Sequence, residues 1–523
     1  TGPANATLRI VGFTSLSQSH AIQTMGDLDG DGRSEVMIQS EFVQVGDDRP
    51  RTPASVSIFL GSTIASSPLD AVLSLRDADY TFTSPDEFPR INYRGPLGDL
   101  DGDGRDDLML TSEDSGTTVV LLASTILSYP RGSTLDLTEF DYRLNRAQTF
   151  NVDQGELSAV GAGDVDGDGR PDILLSSPGY PATNVGDVRW VGKSYLVLSS
   201  TLLQHPRGSQ HVIQEMHDYA FLGPQEGGGT VGESLAGDVD GDGVDDLVFI
   251  SRNADLDDPR PIGQTDRDGT VQVVLGREVM ARAPKTVFEL ATESSYVLHG
   301  EDDAGSVVRG VRFGGDVDGD GLADLLTIGW GRIKDSDGEV RLLDTSAIML
   351  GSTLSANPVG SEFMVLGDAD YAFGSSFDSE NPLVRGRANT YVAGDVDGDG
   401  LDDLLDKGSF LDGATEFFGG QLRLGTDVAQ HETGTPLPRV SMYTTRFLAF
   451  TEHLESEDPR PRDFFLGGGD IDGDGLDDLL YSRAQDVPHR PDEAKELDNV
   501  GITYVLFSPY ARDAPIPHDR EVP

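Results

Sequence analysis

The chain has 523 residues, no cysteine and a net charge of -51, with acidic residues outnumbering basic ones 90 to 39. Such a surface repels nucleic acid and anionic membranes, the lack of thiols excludes disulfide and cysteine chemistry, and no apolar run reaches the roughly 18 to 20 residues of a membrane-spanning helix. With 63 glycines and 37% hydrophobic residues, the composition suits an all-β protein with many tight turns.

In chain order, the polar start Thr1-Gly2-Pro3-Ala4-Asn5 reads as linker, followed by a β-rich segment, Ala6–Ile10. Then comes an acidic loop of the form Asp-x-Asp-Gly-Asp-Gly-x-x-Asp, which recurs seven times, at 27–35, 99–107, 164–172, 238–246, 316–324, 395–403 and 470–478. Successive copies start 72, 65, 74, 78, 79 and 75 residues apart. A period carried through the whole chain means stacked supersecondary units that cannot bury their faces alone. Each loop runs into a short apolar strand such as Leu108–Leu110, so it joins the two strands of a hairpin. A third strand follows, as in Val56–Leu60, Thr117–Leu122, Tyr195–Leu198, Val271–Leu275, Ala347–Leu350, Leu422–Leu424 and Ile502–Leu506; several of these alternate with period two, as half-buried strands do. Ala71–Leu75, His211–Gln214 and Phe363–Leu366 read as fourth strands, each followed by aromatic punctuation at Asp79–Phe82, Asp218–Phe221 or Asp370–Phe373. Recurrence of that punctuation favours packing between units over a ligand platform.

Four strands per unit and seven units predict an all-β fold, a seven-bladed β-propeller with four-stranded antiparallel blades, over 1–523 as one domain. The last unit has only two strands after its loop, Leu479–Ser482 and Ile502–Phe507, whereas the N-terminus has one to spare. Pairing Ala6–Ile10 into the last blade closes the ring and removes an open edge. Residues 511–523 read as a linker tail, and the whole as a mature or excised piece of an exported protein. The connections at Arg252–Pro261 and Gln485–Asn499 are polar, proline-punctuated recognition loops or plain solvated ones.

The loops carry the chemistry. Carboxylates at positions 1, 3, 5 and 9 and the backbone carbonyl at position 7 make a hard-oxygen cage, which suits calcium at six to eight ligands better than magnesium's tight octahedron. The candidate ligands are Asp27, Asp29, Asp31, Arg33 and Glu35; Asp99, Asp101, Asp103, Arg105 and Asp107; Asp164, Asp166, Asp168, Arg170 and Asp172; and Asp238, Asp240, Asp242, Val244 and Asp246. The last three loops supply Asp316, Asp318, Asp320, Leu322 and Asp324; Asp395, Asp397, Asp399, Leu401 and Asp403; and Asp470, Asp472, Asp474, Leu476 and Asp478. Residues at position 7 act through their carbonyls. About seven Ca2+ ions are expected, in a structural role. Glycine at position 6 permits the sharp turn, the apolar residue at position 2 anchors the loop, and Glu35 is the one non-Asp at position 9, with a methylene that alters the first site. Position 8 includes Pro171 and Ala323 and is assigned no ligand role.

These residues resemble the FG-GAP repeats of integrin α-subunit propellers and their bacterial exported relatives, with the clearest match at Val231–Gly243, Asp246–Val248 and the strand Val271–Leu275 ending at Gly276. The resemblance covers essentially the whole chain. It implies calcium loops between the first two strands of a blade on one face, protein or glycan ligands on the opposite face, and an extracellular or cell-surface location. Val231 stands where the family often has Phe, the Gly-Ala-Pro element survives loosely in Ser176–Gly179, and there is no Asp-x-Ser-x-Ser motif of an inserted adhesion domain. Calcium loops in all seven units look more like a bacterial exported protein than an animal receptor. Adhesion or scaffolding is the expected function; the alternative is a lectin or the propeller of a secreted carbohydrate-active enzyme such as a polysaccharide lyase. No catalytic constellation is evident. Gly232–Ala236 approximates a nucleophile elbow but falls on a strand, and His205, His211 and His217 read as surface histidines. Trp190 and Trp330 either pack between blades or grip a sugar or partner.

Overall fold

The computed structural model describes residues 7–11, 20–40, 55–69, 71–84, 91–93, 95–112, 115–147, 157–177, 192–224, 231–232, 237–251, 269–300, 307–334, 340–374, 389–412, 415–431, 433–436, 446–449, 463–484 and 501–508. They form seven small sheets, one per acidic loop, in a ring: a seven-bladed β-propeller. In the third blade Ser158–Gly163, Asp172–Ser177, Lys193–Val197 and Tyr219–Leu222 pair antiparallel in sequence order. The acidic loop joins the first two, as its spacing requires.

Two features differ from the sequence expectation. Where the aromatic punctuation occurs, that segment is the blade's fourth strand: Tyr80–Thr83 pairs antiparallel with Ser55–Phe59, as Tyr371–Gly374 does with Val340–Met349. The segment read as a fourth strand leaves its own blade instead and adds, parallel, to the outer edge of the preceding one. Thus Val72–Ser74 pairs with Thr7–Val11, Ser209–Val212 with Tyr142–Asn145, and Ser361–Met364 with Tyr296–His299. Six of the seven sheets therefore hold five strands among the described residues. The reason lies in a short helix that follows six of the third strands among the described residues, such as Ala123–Ile126 or Gly276–Met280, which carries the chain sideways before it can return.

The third strands are also not half-buried. Every residue of Thr117–Leu121 and Thr270–Val274 is buried, because each blade is covered on both faces by its neighbours. Their polar side chains pair across strands, Thr111 with Thr118 at 3.0 Å and Ser176 with Ser194 at 2.7 Å. An apolar cluster fills each gap between blades: Val56 and Phe82 meet Leu108 and Val119 between the first two, and Val317, Ile348 and Tyr371 meet Leu404 and Val428 between the fifth and sixth. The aromatic punctuation is thus packing, with Tyr80 and Phe82 buried. At about 1.5 to 3 kcal/mol for each large apolar side chain, these interfaces hold the ring.

Closure follows the expectation. Thr7–Val11 lies antiparallel to Gly501–Leu506, Thr7 opposite Leu506 and Val11 opposite Ile502. Leu8 and Ile10 then join Leu480, Val505, Ile22 and Phe59 in the seam between the last and first blades. Among the described residues no helix is long and apolar enough to cross a membrane. Trp190, Arg252–Pro261, Gln485–Asn499, Glu233–Ala236, Pro178, Gly179 and the 511–523 tail lie outside the described residues, as does the side chain of Trp330.

Candidate metal centres

Each acidic loop is built around its first aspartate. In the second loop Asp99 Oδ1 accepts the N–H groups of Gly102 and Asp103 at 2.7 and 2.9 Å, and Oδ2 that of Gly104 at 2.7 Å. The same three-donor pattern recurs at Asp27, Asp238, Asp316, Asp395 and Asp470. Position 5 accepts the N–H of position 7, as Asp320 does from Leu322 at 2.9 Å. The glycines at position 6 have φ between 84° and 87° and no atom near an added Cβ, so what selects glycine there is the left-handed backbone alone.

Position 9 is buried in every loop and ties the site to the blade. Asp246 Oδ2 accepts the N–H of Val239 at 2.9 Å and Oδ1 that of Gly276, at the start of the short helix, at 2.8 Å. Asp107, Asp172, Asp324, Asp403 and Asp478 repeat both bonds. Glu35 keeps the first, to Leu28 at 2.7 Å, but its Oε1 is buried without a partner; the longer side chain does change the first site. The apolar residues at position 2, Leu28 to Ile471, are all buried as expected.

Carboxylate oxygens of Asp27, Asp29 and Glu35, of Asp99, Asp101 and Asp107, of Asp164, Asp166 and Asp168, of Asp238, Asp240 and Asp246, and of Asp316, Asp318 and Asp320 converge to within 4.8 Å and could hold a metal ion. The donor set fits a hard cation, because Oδ1 of Asp29, Asp101 and Asp240 is buried with no hydrogen-bond donor and an orphaned buried carboxylate oxygen is costly. Without a cation, burial, opposed in part by those two backbone hydrogen bonds, pushes Asp172, Asp246, Asp324 and Asp478 up to about 8, Asp107 and Asp403 to about 7, and Glu35, which keeps only the bond from Leu28, to about 9. Burial first, then the neighbouring aspartates, also raises Asp29, Asp101, Asp240 and Asp318. A divalent ion removes both penalties at once.

Three groups of residues were not legible as parts of the site. The first is position 8, which bridges loops. Asp402 N donates to Asp316 O at 3.1 Å while Asp402 Oδ2 accepts from Asp316 N at 2.8 Å. Asp106 with Asp27, Asp245 with Asp164 and Asp477 with Asp395 do the same. Ala323 and Ser34 keep the N–H bond, to Asp238 O at 2.9 Å and Asp470 O at 2.8 Å. This explains the glycine before the first, fifth, sixth and seventh loops: a Cβ at Gly394, whose φ is 78°, would come within 2.0 Å of Asp477 Oδ2, and Gly26, Gly315 and Gly469 face Asp106, Asp402 and Ser34 in the same way.

The second group is arginine. Arg131 reaches Asp29 Oδ2 at 3.4 Å, Arg207 reaches Asp101 Oδ2 at 3.1 Å, and Arg277 pairs with Asp240. The third is the Asp of the aromatic punctuation, which holds the short helix: Asp141 accepts from Leu122 N at 2.8 Å and Thr125 Oγ1 at 2.9 Å, with Asp79, Asp218 and Asp370 alike. The recurring Pro-Arg-Gly at 130–132 and 206–208 and the recurring Asp-Tyr were the available signals.

The side chains at position 7 extend over the preceding loop, although Arg33 Nη1 also donates to Asp31 Oδ2 of its own loop at 3.2 Å and Arg105 Nη1 lies 3.9 Å from Asp103 Oδ2. Arg33, Arg105, Arg170, Val244, Leu322, Leu401 and Leu476 cover the position-4 glycine of the preceding loop, and Arg33 Nε donates to Asp472 O at 3.1 Å. The histidines form no strand face. The rings of His205 and His211 lie 4.1 Å apart, tilted by 52°, whereas His217 lies beyond the short helix Ile213–Met216.

The FG-GAP repeat family matches residues 157–196, the first three strands and acidic loop of the third blade. The chain is similar to integrin alpha pat-2 of Caenorhabditis briggsae, 26% identical over 285 residues that cover 50% of this chain and 19% of that protein. It is also similar to integrin alpha-PS2 of Drosophila melanogaster, 26% identical over 165 residues that cover 30% of this chain and 10% of that protein. The chain thus spans less than a fifth of either relative's length in the aligned part, and by repeat and fold it is similar to the FG-GAP propellers of integrin α subunits.

Proposed function

We propose that the chain is a calcium-loaded extracellular binding or scaffold domain, one propeller over 1–523 with a linker tail at 511–523, in which about seven Ca2+ ions are structural and not catalytic. The observation that carries this reading is the set of buried, donorless oxygens at position 3 in loops whose other carboxylates are already held by backbone N–H groups. The ions would be held by positions 1, 3, 5 and 9 and the carbonyl at position 7 in each loop. Calcium supplies the positive charge that lets these carboxylates stay ionised while buried. A protein or glycan ligand on the face opposite the loops, at a cell surface, follows the similarity to integrin α subunits; a bacterial exported origin rests on all seven loops being complete.

If each site binds at about 100 µM in millimolar calcium, the ions contribute about 1.4 kcal/mol per site and about 10 kcal/mol together, comparable with the stability of a whole domain. Chelation is expected to lower the melting temperature strongly, and metal analysis of the calcium-equilibrated chain to return about seven ions. An unchanged melt after verified metal removal would sink the structural-calcium reading.

A further inference from the structure

We infer that the residue at position 8 of each loop is a positioning residue for the cation site of the preceding loop, so that ion binding is coupled from loop to loop around the ring and interrupted between the second and third. This rests on the calcium reading above.

The route is short and covalent at one end. Asp316 is a position-1 ligand of the fifth loop, and its peptide N–H and C=O are both bonded to Asp402. Asp402 directly precedes Asp403, the buried position-9 ligand of the sixth loop. A ligand of one site and a ligand of the next are therefore separated by two hydrogen bonds and one peptide bond. An ion that fixes Asp403 fixes Asp402, and with it the backbone on which Asp316 must be presented. The ordering entropy of the fifth loop is then partly met before its own ion arrives, which is positive coupling. The N–H half of the bridge joins the seventh loop to the first, Ser34 N donating to Asp470 O at 2.8 Å, so the link also crosses the seam where the two chain ends meet.

The bridge fails at one place. Position 8 of the third loop is Pro171, which has no N–H to donate and no carboxylate; it packs beside Gly98, where a Cβ would lie 3.1 Å from its Cγ. The ring of sites is in effect a line that starts at the third loop, passes through the seam and ends at the second.

The test uses the full chain and calcium alone, with amide hydrogen exchange followed loop by loop against free calcium. Disabling the sixth site with Asp397→Asn and Asp399→Asn is expected to raise the calcium midpoint of the fifth loop about fivefold or more. Disabling the third site with Asp166→Asn and Asp168→Asn should leave the second loop's midpoint unchanged, and adding Pro171→Asp should make it respond. Asp402→Ala should weaken the fifth site while Asp402→Asn, whose amide oxygen still accepts, restores most of it. A fifth-loop midpoint indifferent to both the sixth-site variant and Asp402→Ala overturns the coupling alone. Should Pro171→Asp not fold, the contrast between the third-site and sixth-site variants still decides. If no loop of the parent chain gains protection with calcium, the calcium reading falls, and the coupling with it.

Discussion

At position 9 an aspartate joins three things: the turn of the loop, the start of the next short helix and the carboxylate cluster that could hold a metal ion. Replacing Asp246 by Ala leaves the N–H groups of Val239 and Gly276 buried without acceptors, at a cost of about 1 to 3 kcal/mol each; chemical denaturation in calcium should show the loss, and a loss below about 1 kcal/mol would contradict it. The same residues set a pH dependence. Their cation-free folded values of about 7 to 9 lie above the unfolded value of about 4, so the cation-free fold holds protons that the unfolded chain has lost. Their stabilising contribution is full below about pH 4 and disappears as pH rises through about 8. Calcium must displace those protons, so uptake near pH 7 is expected to release them; calorimetry in two buffers of different ionisation enthalpy measures the number, and buffer-independent heats would refute the shifts.

At the scale of the element, four of the short helices after third strands are held by the aspartate before the aromatic fourth strand, Asp79, Asp141, Asp218 or Asp370, whereas Ser295 takes that place for Gly276–Met280, accepting from Leu275 N at 3.0 Å. Helices of four or five residues have almost no intrinsic stability, and Asp141 supplies what Ala123–Ile126 lacks by accepting from Leu122 N and Thr125 Oγ1. Asp141→Ala should cost about 1 to 3 kcal/mol, while Asp141→Asn, which keeps one acceptor, should cost less; equal losses would argue against the pin. The helix also sends the following strand to the neighbouring blade, which is why four regularly spaced apolar segments per repeat do not map onto four strands of one sheet.

For the whole molecule the decisive element is the N-terminal strand. Deleting residues 1–11 removes Leu8 and Ile10 from the seam, each worth about 1.5 to 3 kcal/mol, and bares the edge of Gly501–Leu506. A lower melting temperature and association through that edge are expected in calorimetry and light scattering, and a peptide of residues 1–11 added in trans should reverse both. A deletion variant that melts and remains monomeric like the parent would show that closure lies elsewhere.

The sequence alone determined the number of blades, the hairpin carrying each loop, the clusters of carboxylates from Asp27 to Asp478, the buried anchor at position 2 and the strand that closes the ring. All of these are local patterns repeated at a fixed spacing, so repetition separates them from chance. Only the tertiary structure decided where the fifth strands go, that Asp79 and its equivalents hold helices, that Arg131 and Arg207 reach the position-3 aspartates Asp29 and Asp101, and that position 8 bridges loops. Those contacts join residues of different repeats, 86 positions apart for Asp402 and Asp316, and what they require of a side chain depends on the neighbouring blade. That is why Asp, Ala, Ser and Pro can all occupy position 8, and why the acidic loop, unmistakable in sequence as a cage, revealed itself as one link of a ring only when the blades were set side by side.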